Sequence, residues 1–482
     1  MSIWTINNKK REIKELDSNK TVDILIIGGG ITGLTTAYYL KYNKSMCVVD
    51  AGLIGSGVTK NSTAKINYLQ ENIYSKIATT TNISNAIKYL ESQIHAIKEL
   101  INIINKEKIN CDLTKVPSYL IAKTKEELDL LENEIKFLKK NNINVTKDDL
   151  KINIKYLKAY KVEDTYIFNP IKYLEGLYKI LKKDNINIYE NSRILKIKRK
   201  NNKYICYSDK YTITANKVVL ACHYPYFLYP YFMPIKCSLE KSYMIVSRVL
   251  SDENFTCINI NKPIYSCRYY NIDNDIYQIS LSKSNDLSKN KNDILNFNKV
   301  KEVFNLDDKN IIMKYTNTDI ITPDFMPYIG ELKKNMYIGI GYNTWGMTNG
   351  VLASLIITDL ILNRENKYPL FNPNRINFQT LLKIPYYIFN NAKSFIDSKI
   401  NKNKKWYSNK VEFYKKNGIS LASYKSDDGT IHIVRNKCPH LKCSLIFNEE
   451  ELTWDCPCHS SRFDIDGKCI KGPSNYDITY KK

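Results

Sequence analysis

At 482 residues the chain is long enough for two or three cores, and 43% hydrophobic with 25% charged content excludes disorder as the default. The 72 lysines and arginines against 49 acidic residues leave a net charge of +23, spread along the chain without an arginine-rich cluster interleaved with aromatics, so a lysine-rich solvated surface is favoured and no nucleic acid is expected as partner. No run reaches 18 apolar residues and the start MSIWTINNKK lacks the apolar core of a secretory leader, so the expectation is cytoplasmic residence with no transmembrane segment, peripheral membrane contact staying open.

In chain order, Val22 to Ile27 is a β-branched run that meets glycines and then ITGLTTAYYLKY, which reads as strand, tight turn and helix. Met46 to Val49 makes a second strand. Helical periodicity covers Ile73 to Ile104, Lys125 to Lys140 and Pro170 to Lys183. Short strands follow at INIYE, RILKIKR, KYICYS and YTITANKVVLAC, and Lys236 to about Tyr277 alternates like antiparallel sheet. Met336 to Ile340 supplies another strand and Thr348 to Leu362 a helix.

The glycine turn reads IIGGGITGL, with Gly28, Gly30 and Gly33 at the GxGxxG positions. The first permits a tight turn, the second close approach of backbone to a pyrophosphate, and the third contact between helix and sheet. Asp50 ends the next strand, placed to accept hydrogen bonds from an adenosine ribose. Strand, helix and acid in this order predict dinucleotide binding.

Cysteine use marks off the chain's end. Seven of 12 cysteines are scattered over the first 267 residues and five lie within the 32 from Cys438 to Cys469, unlike a secreted disulfide framework. CPHLKC contributes Cys438 and His440, and CPCHSSRF contributes Cys456 and His459, so two loops can each bring one thiolate and one imidazole to a metal centre. A terminal domain of this size has a marginal core, which a metal would reinforce. Zinc bound by Cys2His2 is the rival, but its short spacers usually hold two to four residues and Cys438 and His440 enclose only Pro439.

These loops resemble the Rieske proteins of cytochrome bc complexes, where two cysteines hold one iron of a [2Fe–2S] cluster and two histidines the other. The resemblance implies Cys438, His440, Cys456 and His459 as ligands and a disulfide between Cys443 and Cys458 that ties the ligand loops together. It also matches Gly472 and Pro473 to the loop covering the cluster, and Ser461 to a hydroxyl that donates to a cluster sulfur and raises the potential. Phe463 stands where high-potential members carry tyrosine, and Lys442 and Ser460 replace usual glycines, implying a potential below the top of the Rieske range. Cys469 matches no ligand position and reads as a structural thiol.

The rest of the chain resembles the FAD-dependent oxidoreductases that include D-amino-acid and glycine oxidases, especially bacterial members fused to a Rieske domain. The stretches that carry this are DILIIGGGITGLTTAYYL, GSGVTKNSTAKI, VVLACHYP, TPDFMPYIG and YIGIGYNTWGMTNG. The likeness implies that Ser56, Thr63, Ala64 and Lys65 lie near the flavin, Ala221 near the adenine-side loop, and Gly341, Trp345, Gly346, Met347 and Thr348 beside the flavin ring. Core packing is the plainer role for Trp345 and Met347, a helix cap for Thr63, and an exposed charge for Lys65. Asp324 and Pro327 order a turn before Gly330. No histidine or cysteine falls between Ser56 and Gln70, so FAD is expected to be non-covalent, and the absence of a second GxGxxG argues against a built-in nicotinamide domain.

The expected fold is an α/β Rossmann-like FAD-binding domain with an inserted α+β substrate domain, plus a small all-β Rieske domain. Residues 1–150 would be the first part of the FAD-binding domain with a helical excursion, 151–225 a mixed segment returning to it, 226–320 the antiparallel substrate side, 321–371 the last part of the FAD-binding domain, 372–405 a connector and 406–482 the Rieske domain. The family likeness implies oxidation of an amine or amino acid, with electrons passing from FAD through the cluster to an external one-electron carrier. Arg268 could clamp a carboxylate and Tyr243 or Tyr269 donate to it, against the plainer readings of a surface strand residue and packing. His223 is given no proton-transfer role, and His95 and His432 read as structural or exposed. An electron-transfer reductase without an amine substrate is the alternative, and a nucleic-acid-associated protein the remoter one.

Overall fold

The computed structural model describes residues 2–6, 11–42, 45–224, 236–251, 253–273, 275–283, 293–376, 378–379, 381–386, 389, 393, 396 and 410–480. A parallel sheet runs Met336–Ile340, Thr212–Leu220, Lys20–Ile27, Met46–Val49, Asn187–Tyr189, with Tyr328–Lys333 added antiparallel at one edge. Ile24–Ile27, Met46–Val49 and Val218–Leu220 are continuous apolar runs because both faces are covered there. Ile24 and Ile26 pack into one core with Leu34 and Val351 of the helices Ile31–Leu40 and Gly346–Ile361, while Leu25 and Ile27 face Tyr204 and Cys206 of the adjoining hairpin. The strand ends at Ile27, Val49, Leu220 and Ile340 bring the following loops to one edge, where α/β sheets bind ligands.

The second layer is a mostly antiparallel nine-stranded sheet in which Ile311–Ile321, Ser238–Val249, Asp275–Lys283, Tyr265–Ile272 and Thr256–Asn259 are followed by Thr114–Ala122, Lys158–Ile167 and Lys65–Ile66. The antiparallel layer expected within 226–320 therefore also draws strands from 65–66, 114–122 and 158–167. These strands lie between helices whose 3.6-residue periodicity dominates the local pattern, and the sheet takes them up through long-range pairing. The helical region expected over Ile73 to Ile104 consists of two helices, Ile73–Thr80 and Ile83–Lys106. The second begins at Asn82, whose side chain accepts from Asn85 N at 2.8 Å.

The small C-terminal unit is all β: a three-stranded sheet, Val411–Lys416, Ile419–Lys425 and Ile431–Arg435, and a four-stranded one, Ile446–Asn448, Thr453–Asp455, Arg462–Phe463 and Cys469–Lys471. Trp454 and Phe463 are fully buried at its centre, with the Phe447 ring tilted against Trp454 at 4.6 Å between centres. Truncating such a ring costs about 3–5 kcal/mol, a large share of a small domain's stability. About half of the expected connector 372–405 lies outside the described residues. At its start Arg375 grips the fully buried Asp324 through two bonds of 2.8 and 2.9 Å and donates to Pro327 O, so Asp324 and Pro327 fasten this segment to the body. Among the described residues no helix is long and apolar enough to cross a membrane.

Candidate cofactor sites and the cavities between them

Gly28 leaves its strand at φ +115°, and a Cβ there would sit 2.4 Å from Ala221 O. A Cβ on Gly33 would sit 1.8 Å from Gly28 O, so the following helix can lie on the sheet only without a side chain at that position. Gly30 caps that helix with no side-chain hydrogen bond and no acid in its first turn, leaving the positive helix end to the cavity that Gly30, Ile31 and Thr32 line. Asp50 accepts from Gly29 N at 2.6 Å and Gly52 N at 2.8 Å. Burial pushes its carboxyl up to about 6, against the pull of these two donors. The cavity, about 200 Å³, gathers Gly28, Gly30, Asp50, Ser56, Ala221, Gly341, Gly346 and Met347 of the residues singled out in the sequence. This glycine cradle with an unopposed helix end suits a dinucleotide pyrophosphate.

A smaller cavity, about 60 Å³, opens beside it and shares Val58, Gly346 and Met347. Thr63, Ala64, Lys65 and Trp345 line this second space, not the first. Thr348 lines neither; its hydroxyl donates to Asn67 O at 3.3 Å. Lys65 Nζ donates to Cys257 O at 3.1 Å and to Ser266 Oγ, and burial lowers its ammonium to about 8. Lys283, across the space, pairs with Glu71 and donates to Thr344 Oγ1 at 2.8 Å. Asn317 and Asp319 complete the polar wall.

The structure does not bring Arg268, Tyr243 or Tyr269 to this space. Arg268 is wholly buried, its Nη1 donating to Thr63 O, Ala64 O and Phe168 O at 2.8–3.2 Å and its guanidinium lying 4.9 Å over the Trp4 ring. It braces the turn at Ala64, which is held at φ +51°. Tyr243 donates to Asp293 on the opposite face of the sheet, where Tyr269 packs edge-on against Phe255. Strand alternation sends them there: Ser242 and Met244 flank Tyr243 and face the cavity instead. Lys283, Asn317 and Asp319 carry no local sequence signal, since only strand pairing brings them opposite Lys65.

In the C-terminal unit the loops 438–443 and 456–461 close on themselves, Lys442 N donating to Cys438 O and Ser460 N to Cys456 O. Lys442 and Ser460 stand at φ +61° and +60°, the left-handed region that favours glycine. Cys443 and Cys458 form the disulfide between the loops, and their sulfurs lie with Cys456 Sγ in a group within 4.8 Å. The Cys438 thiol is hydrogen-bonded to Cys456, which draws it below its usual range. The rings of His440 and His459 meet at 5.1 Å, and each leaves one buried nitrogen, Nε2 and Nδ1 respectively, without a hydrogen-bond partner. Burial holds the two imidazoles neutral, down to about 4 and about 3. Two adjacent thiols and two neutral, unsatisfied imidazoles fit a Rieske cluster. Ser461 Oγ accepts from Ser474 N at 2.9 Å beside Cys438, and Cys469 Sγ is spent on Ser474 O at 3.2 Å.

This unit is seated on the flavin-side body. Arg462 donates to Thr316 Oγ1 at 2.6 Å, Thr316 N to Glu451 at 3.1 Å, and Asn475 to Leu195 O at 3.2 Å. Tyr224, which lines the dinucleotide cavity with Ala221 to His223, faces His459 with ring centres 6.2 Å apart. His223 Nε2 itself donates to Thr318 O at 2.9 Å, and burial lowers the imidazole to about 3, so it is neutral. Along Ile311–Ile321, Asn317 and Asp319 line the second cavity, whereas Thr316 and Thr318 border a space closed by Cys456, Ser460 and Arg462.

The profile of the FAD dependent oxidoreductase family matches residues 23–360 and that of the Rieske [2Fe-2S] domain residues 399–480. The chain belongs to the FAD dependent oxidoreductase family, and it is an FAD-dependent oxidoreductase fused to a Rieske [2Fe–2S] domain. It is 24% identical over 487 aligned positions to the Rieske 2Fe-2S iron-sulfur protein YhfW of Bacillus subtilis (strain 168), covering 98% of this chain and 95% of that one. In fold it is similar to the L-amino acid deaminase of Proteus vulgaris (TM-score 0.61, 14% identity, 76% of this chain and 100% of that chain) and to glycine oxidase of Geobacillus kaustophilus (TM-score 0.59, 16% identity, 74% and 100%).

Proposed function

We propose that the protein oxidises an amine or amino acid in the second cavity and passes the electrons through the C-terminal cluster to an external one-electron carrier. The observation that carries this reading is the strand Ile311–Ile321, whose alternate side chains face the second cavity on one side and the cluster loops on the other. Only one layer of sheet then separates the place of substrate from the thiolate of Cys456.

In this reading the glycine turn and Asp50 hold the adenosine and pyrophosphate of FAD, Gly341, Gly346 and Met347 border its ring, and Cys438, His440, Cys456 and His459 hold the cluster. Bound FAD supplies a hydride acceptor that can release electrons singly, and the cluster takes them one at a time. The chain's own part begins with Lys65, whose ammonium anchors a substrate carboxylate. Lys283 is already paired with Glu71, so Lys65 is the cation left to meet a carboxylate. Met244, Ile258 and Leu281 close the space with apolar surface and keep water from the reacting carbon. Buried Asp319, held above the usual carboxylate range by desolvation, can accept a proton from a substrate ammonium and deliver the amine in its neutral form.

The test is an anaerobic titration of the holoprotein with amino acids, secondary amines and NAD(P)H, followed by visible and electron paramagnetic resonance spectra. Bleaching of the flavin with a rhombic Rieske signal on adding an amino acid or amine is the expected result. Reduction by nicotinamide or redox carriers alone would replace this reading with that of an electron-transfer reductase.

A further inference from the structure

The dinucleotide cavity is not closed by the flavin-side domain alone. Ile470, Lys471 and Gly472, which belong to the last strand of the cluster domain and the turn after it, form part of its wall, next to Ser192, Arg193 and Ala221. This is the end of the cavity at Asp50, because Ser192 N donates to Asp50 O at 2.8 Å and Asn191 N to Gly52 O at 3.0 Å. Arg193 joins the two domains there: while its side lines the cavity, its guanidinium donates to Cys469 O at 3.1 Å and to Ser474 O at 3.5 Å. The strand that presents Ile470 also leads directly into the turn whose Ser474 N is held by Ser461, beside Cys438.

We infer that the cluster domain is a structural part of the FAD site, supplying the wall over the adenosine half through Ile470 to Gly472, so that FAD binding and cluster-domain docking are thermodynamically linked. Whatever binds only the docked arrangement stabilises it, and docking raises the affinity for FAD by the same factor. The inference rests on the placement of adenosine at Asp50 given above and is independent of which substrate is oxidised.

Two measurements test it on the full chain, freed of FAD and retaining its cluster. In the first, the temperature at which the cluster's visible absorbance is lost is followed with added FAD, ADP or FMN. FAD and ADP, which carry the adenosine half, are expected to raise it and FMN to leave it unchanged; a cluster whose thermal loss ignores FAD overturns the inference. In the second, Ile470→Glu, at a half-exposed side chain on the cavity rim, is expected to raise the Kd of both FAD and ADP by about tenfold while the rhombic signal persists. A Kd within about twofold of the parent, with that signal intact, overturns the inference, since couplings of functional size exceed fivefold. Asp50→Asn separates the two possible failures: if it leaves ADP binding unchanged, it is the placement of adenosine that is wrong, and the inference falls with it.

Discussion

The proposed cluster ligands all lie between Cys438 and His459, on two loops of one small domain, whereas the dinucleotide cavity takes its wall from segments around 28–32, 50–59, 192–194, 221–224, 339–347 and 470–472. The first site is specified almost entirely by local chain. Its loops close through their own backbone bonds and one disulfide, so a change there should be felt first by the cluster, and by FAD only through the docking of the cluster domain. The second depends on pairing between distant strands, and its specificity for substrate depends on which face of a strand each residue reaches. The two plans meet at the seat of the cluster domain on the body, where Thr316, Arg462 and Glu451 lock one to the other.

The largest effect expected from this contrast is all-or-none: Cys456→Ala abolishes the rhombic signal and leaves the flavin absorbance in place, as spectra of the purified variant would show. Gly28→Ala is the converse. Its Cβ would meet Ala221 O at 2.4 Å in a left-handed backbone, and strain of roughly 1–3 kcal/mol lowers FAD affinity by one to two orders of magnitude in a fluorescence titration, while the rhombic signal of the cluster persists. With Lys65 as the proposed carboxylate anchor, Lys65→Met is expected to raise KM by about 10- to 100-fold for amino acids, but little for amines that lack the carboxylate. In the parent protein the same KM rises with pH above about 8, because burial has lowered the Lys65 ammonium to that value and the neutral amine holds no carboxylate. Ser461→Ala deletes a donor beside Cys438 and lowers the cluster's midpoint potential by roughly 20–60 mV, equivalent to one hydrogen bond, in a redox titration. The smallest change is a gain: Lys442→Gly relieves a non-glycine residue at φ +61° and stabilises the cluster domain by about 0.5–1 kcal/mol in thermal unfolding.

The same contrast explains what could be read from sequence. The cluster loops were legible because metal chemistry fixes residue type and spacing within a few positions, and the glycine turn because a tight turn and a close helix leave no room for side chains at Gly28 and Gly33. Resemblance added the disulfide between Cys443 and Cys458, which the structure forms. The substrate side was not legible. Arg268 has the charge of a carboxylate clamp, yet it is committed to three backbone carbonyls around Ala64, and Tyr243 and Tyr269 differ from the cavity residues only by one step of strand register. Strands such as Thr114–Ala122 and Lys158–Ile167 earn their place through partners far away in the chain, and so does the wall at Ile470 to Gly472, which no local pattern announces.

Whether electrons leave the flavin through the cluster of the same chain, as proposed, is decided by an anaerobic single-turnover experiment. The holoprotein is mixed rapidly with a reducing amino acid or amine, and flavin bleaching and growth of the reduced-cluster signal are followed over a range of protein concentrations. The cluster-reduction rate constant is expected to follow flavin reduction and to be independent of protein concentration. A rate that rises in proportion to protein concentration, or a cluster that stays oxidised while the flavin is fully reduced, would contradict it.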